Sequence, residues 1–92
     1  MREKQIEQAL VKAVRKRGGI ALKFVSPGMA GVPYRLVLFP GGRMAFVEVK
    51  APGKKPRPLQ LFRHEQLRRL GFRVYVVDSK EKIEGFADQQ NV

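Results

Sequence analysis

The chain has 92 residues, 19 Lys and Arg against 8 Asp and Glu, a single histidine and no cysteine, and carries a formal charge of +11. A second domain does not fit in that length; the lack of cysteine excludes disulfides, thiolate zinc sites and Cys nucleophiles, and a single histidine argues against a His-rich metal site or a Ser-His-Asp triad, so any metal has to sit on oxygen. A pI near 10.8 and positive charge spread along the chain point to a polyanionic partner, nucleic acid first.

Residues 2 to 17 place Ile6, Leu10, Ala13 and Val14 at three- and four-residue intervals before Gly18-Gly19, which predicts an amphipathic helix. The same stretch is charged throughout and lacks the apolar core of a secretory signal, and no run is long enough to span a membrane; the expectation is an intracellular, cytoplasmic protein. Residues 20 to 25 set Ile20, Leu22 and Phe24 against Ala21, Lys23 and Val25, a strand pattern with the first set expected in the core. A loop, 26 to 33, follows.

Two β-rich runs, 35 to 39 and 43 to 50, flank Pro40-Gly41-Gly42 and predict an antiparallel hairpin. Pro52, Pro56 and Pro58 keep 51 to 58 irregular, with Pro58 placed to start a helix. That helix is expected to reach Leu70, with Leu59, Phe62, Leu67 and Leu70 on its apolar side and Gly71 closing it. A strand over 72 to 77 and a short helix capped by Asp78 or Ser79 and running to about Ala87 complete the chain, with 89 to 92 expected to fray. The order α-β-β-β-α-β-α implies an α/β fold, a mixed sheet flanked by helices, in one domain over residues 1–92.

Between Glu7 and Glu65 there is one acid, Glu48, among twelve Lys or Arg residues. On a strand Glu48 and Lys50 share a face, with Val47 and Val49 on the other. Glu-x-Lys is by itself an ordinary surface ion pair; at the end of a strand in a basic field it is also what a phosphodiesterase uses, a carboxylate for a hard cation and an ammonium for the phosphate or nucleophile. Glu7 lies at the edge of the first helix's apolar face, where ligation and plain solvation are both open, whereas Glu3 suits compensation of the helix dipole. Lys54, Lys55 and Arg57 in the Pro-rich loop and Arg63, Arg68 and Arg69 on the next helix are candidate phosphate contacts or a solvated face. Phe24, Phe39, Phe46, Phe62 and Phe72 read as core, and His64 as an exposed helix residue without a role.

The string from Gly31-Val32-Pro33 through Phe46-Val47-Glu48-Val49-Lys50-Ala51-Pro52-Gly53, followed by Pro58-Leu59-Gln60, resembles the VRR-NUC branch of the PD-(D/E)XK nucleases, over nearly the whole chain. The resemblance implies a restriction-endonuclease-like core and, from stand-alone viral (phage) and bacterial members, a homodimer that cuts four-way DNA junctions as a Holliday junction resolvase with Mg²⁺ or Mn²⁺. It makes Glu48 a metal ligand, Lys50 the residue that positions or activates the attacking water, Val49 a ligand through its backbone carbonyl, Glu7 the first-helix acid and Gln60 the glutamine on the following helix. Position 34 departs from the pattern. The family has an acid after Gly-Val-Pro and this chain has Tyr34, a neutral phenol at pH 7 in place of a charged two-oxygen ligand. Cleavage by this chain is therefore expected to be poor or absent, with a non-catalytic DNA- or RNA-binding module on the same scaffold as the alternative. No apolar stripe for a dimer can be assigned on sequence alone.

Overall fold

The computed structural model describes residues 1–90. Its elements follow the expected order: α1 (Glu3–Lys16), β1 (Ile20–Lys23), β2 (Arg35–Phe39), β3 (Arg43–Val49), α2 (Pro58–Arg69), β4 (Val74–Val77) and α3 (Lys80–Gln89). The sheet runs β1-β2-β3-β4, antiparallel except for the parallel β3–β4 pair. The parallel pair follows from the α2 crossover, since a hairpin cannot join parallel strands.

The strand period of two sorts side chains between two layers. Val37, Phe39, Ala45, Val47, Val49 and Val77 face α1 and α3 and bury against Ile6, Leu10, Val14, Ile83 and Phe86. On the outer side Arg17 joins the same helices, donating to the Ala13 carbonyl at 3.0 Å and pairing with Glu84 and Asp88 at 2.7 and 2.8 Å. The opposite sheet face carries Glu48 and receives α2.

That second face corrects several expectations. In β1 it is Ala21 that packs on the core, while Ile20 and Leu22 are exposed. On α2 the buried residues are Gln60 and His64, and Leu59, Phe62 and Leu70 are exposed with Phe72. Prolines fix where α2 starts, and its orientation turns the polar stripe 60–64 toward the sheet. Phe39 and Phe46 are core as expected, and Phe24, Phe46 and Phe72 form a chain of ring contacts at 5.6 and 6.0 Å. At the C-terminus Ser79, not Asp78, caps α3, accepting from the Lys82 N–H. Gln90 is buried rather than frayed, its amide bonded to the Tyr75 hydroxyl at 3.2 Å; the expectation of fraying at Asn91 and Val92 lies outside the described residues.

Candidate active site

The cleft at the end of β3 is built by two helix starts. The first turns of α1 and α2 converge on the place where β3 gives way to the Pro-rich loop, enclosing about 440 Å³ lined by Glu3, Lys4, Glu7, Val32, Tyr34, Glu48, Val49, Lys50, Arg57 and Gln60. Both helices present their positive dipole ends to it, which favours an anion.

Glu48 is its floor. Its side chain is buried, Oε2 lies 3.4 Å from Lys50 Nζ and accepts from Gln60 Nε2 at 3.4 Å, and Oε1 accepts from the Tyr34 N–H at 3.3 Å. Burial, with a small addition from Glu3, pushes the Glu48 carboxyl above its usual value, more than Lys50 and the Tyr34 N–H pull it down. Gln60 is held in turn by the backbone of its own helix, its Oε1 accepting the Arg57 N–H at 2.8 Å.

Glu7 lines the cleft but is drawn toward Arg35, whose Nη2 is 3.3 Å from its Oε1. Tyr34 is 38% exposed and holds Glu48 through its backbone while its ring lies beside the Arg35 guanidinium, 5.6 Å from the centroid. Val49 lines the cleft with its side chain in the α1–α3 core.

The candidate phosphate contacts divide. Lys54 and Lys55 are exposed on the loop, and Arg57 faces the cleft. The α2 arginines have other engagements: Arg63 donates to the Ala30 carbonyl at 2.9 Å, Arg68 to the Val74 carbonyl at 2.8 Å, and Arg69 pairs with Glu65 at 3.5 Å.

Sequence reasoning missed Lys4 and Arg35, and it gave Glu3 only a dipole role although Glu3 lines the cleft. Lys4 and Glu3 share the helix turn that carries Glu7, a spacing that could have found them. His64 is the largest surprise: fully buried, one turn beyond Gln60, with neither ring nitrogen bonded to a protein partner. Burial, reinforced by Arg68 and Lys50, lowers its pKa and keeps it neutral.

A Mg²⁺-type cation takes about six oxygen ligands, one or two of them carboxylates and the rest water and substrate phosphate. Glu48 already faces three nitrogen donors, Glu7 is paired with Arg35, and position 34 offers a phenol at most. Among the described residues no three His, Cys, Asp or Glu side chains stand together as a ligand set. The residues present would therefore hold a cation through Glu48, with water and phosphate oxygens completing its shell, and lack a second carboxylate at position 34.

Comparison with known proteins agrees with the architecture. No family model matches the sequence. A phage protein named "Putative nuclease p44", from Acyrthosiphon pisum secondary endosymbiont phage 1, is 58% identical over 81 residues, covering 88% of this chain and 87% of its own length. A solved structure described as a VRR_NUC domain superposes with a TM-score of 0.87 at 32% identity, covering 94% of each chain. The chain belongs to the VRR-NUC nuclease family. The fold of this VRR-NUC chain is accordingly the restriction-endonuclease-like α/β core, and none of its described helices is long and apolar enough to cross a membrane.

Proposed function

We propose that this VRR-NUC chain is a DNA-directed nuclease scaffold that holds branched duplex DNA, a four-way junction in particular, over the Glu48 cleft, and that its own phosphodiester cleavage is weak because Tyr34 leaves a catalytic cation short of ligands. The observation that carries this reading is the joining of Glu48, Lys50 and Gln60 in one cleft at two helix starts. In it Lys50 and Arg57 bind and orient a phosphate, Gln60 fixes the Glu48 carboxylate, and Lys54 and Lys55 hold the flanking backbone. Mg²⁺ or Mn²⁺, which the family chemistry calls for, would supply the activated water if the acid were restored.

The second reading, a DNA- or RNA-binding module without cleavage, is favoured by the Glu7–Arg35 pair, which engages the second acid of the cleft with a guanidinium. One substitution separates the two. With Mn²⁺ or Mg²⁺ and an end-labelled junction, Tyr34→Asp is expected to cut at least 10-fold faster than the wild type, since the loss of even an indirect metal partner costs 10- to 100-fold. Tight junction binding with no gain in cleavage would favour the binding module, and wild-type cleavage as fast as the variant's would refute the role given to Tyr34.

A homodimer belongs to the same proposal. A two-fold pair would present two matched clefts to a symmetric junction, and the face of the sheet that α2 leaves open supports it. Ile20, Leu38 and Met44 lie in one cross-strand row, with Leu22 and Leu36 in the next, where Phe46 is already buried beside Phe24 and Phe72. An intracellular setting and a single nuclease domain over residues 1–92 accompany this reading.

A further inference from the structure

Charge is unevenly placed around α1. Arg17 is neutralised by Glu84 and Asp88, and four of the chain's eight acids, Asp78, Glu81, Glu84 and Asp88, belong to the α3 end. On the other side of α1 compensation stops at Glu7, which pairs with Arg35. Lys4, Gln8, Lys12 and Arg15 recur at intervals of four, four and three, one stripe of the helix. No acid stands three or four positions from Lys12 or Arg15, and among the described residues neither makes an ion pair.

Along this stripe runs a groove of about 370 Å³ lined by Glu7, Gln8, Val11, Lys12, Arg15 and Arg35. Arg35 is only 8% exposed; its Nη1 donates to the Ala21 carbonyl at 2.8 Å, and its Nε–H is buried without an acceptor. A guanidinium cannot shed its charge. The groove thus combines two exposed cations with a third that is buried, paired with Glu7 at 3.3 Å and left with one unbonded N–H, and it meets the cleft at Glu7. From Lys4 to Arg15 the helix covers about 16 Å, close to five base-pair steps at 3.4 Å.

We propose that the α1 groove is a second phosphate-binding track that takes the backbone of a duplex DNA arm as it leaves the cleft, with Lys12 and Arg15 contacting phosphates and Arg35 adding attraction from below. This rests on the DNA-binding reading above. Lys12 and Arg15 are exposed, so both can be replaced without disturbing the core.

The test is fluorescence anisotropy of a labelled four-way junction between 50 and 200 mM salt. Lys12→Ala and Arg15→Ala are each expected to make the slope of log K against log salt shallower by about one, and the double variant by about two. Arg73→Ala, next to the edge strand β4 and not among the groove residues, is expected to leave the slope unchanged. A double variant with wild-type affinity and slope, or an equal fall in Arg73→Ala, overturns the track. If Lys54→Ala/Lys55→Ala weakens binding while the α1 double variant does not, the track alone fails; if the wild type shows no salt-dependent binding, the DNA reading itself fails and takes the track with it.

Discussion

Gln60 and His64, one helical turn apart, show how the same helix face serves opposite ends. With its Oε1 on the Arg57 N–H, the Gln60 amide can turn only its Nε2 toward Glu48, so a helix-start hydrogen bond also orients the carboxylate. His64 shares that buried stripe without any protein partner for its nitrogens. Its pKa lies below the usual 6.5, so over the interval between the two values the unfolded chain binds more protons than the folded one. Stability from this group is complete above about pH 6.5 and is lost as pH falls through the lowered value. In His64→Leu that acid-side loss is expected to vanish, with a gain of about 1 kcal/mol at neutral pH from removing unbonded polar atoms. Thermal midpoints measured from pH 7.5 to 5 check it, and parallel curves for the two proteins would contradict it.

At the scale of elements, the start of α2 is set by the loop before β2 as much as by its prolines. Gly31 has φ +85°, and a Cβ there would come within 2.9 Å of the Leu59 carbonyl oxygen, whereas one at Gly28 would meet nothing. The loop that carries Tyr34 is therefore laid directly on the first turn of α2, next to Gln60. Gly31→Ala is expected to cost about 1 to 3 kcal/mol from backbone strain and the clash with Leu59, and Gly28→Ala close to nothing. Urea unfolding of the two variants side by side measures the difference; equal midpoints would mean that this contact does not hold the loop.

For the molecule as a whole, two helices cover one face of a four-stranded sheet and one helix covers half of the other. The exposed half presents Ile20 at 58%, Leu22 at 43% and Leu38 at 37% exposure, about 13 Å along β3 from Glu48, counting from Met44. On a chain of charge +11 two copies repel one another almost everywhere, and a polyanion gains nothing from an apolar surface. These uncharged rows can face themselves across a two-fold axis and supply the core of an interface of about 800 Å² per partner. Light scattering is expected to give a dimer for the wild type and half that mass for Leu38→Glu, with the circular dichroism spectrum retained. A monomeric wild type at tens of micromolar would remove the dimer from the proposal.

Element order, the hairpin, the placing of Glu48 beside Lys50 and the anomaly at Tyr34 were all legible in the chain, because strand alternation, turn residues and capping act over a few positions. Tertiary structure decided which faces were covered. Ile20 and Leu22 look like core by pattern, as Leu59, Phe62 and Leu70 do, yet they stay exposed, with no described helix or strand packed over them, while His64 and Gln60 are buried because the crossover lays that side of α2 on β3 and β4. Local periodicity says that a segment has an apolar side; whether another segment arrives to cover it depends on where distant parts of the chain meet. The pairing of Glu7 with Arg35, 28 positions later in the chain, came from the same long-range geometry.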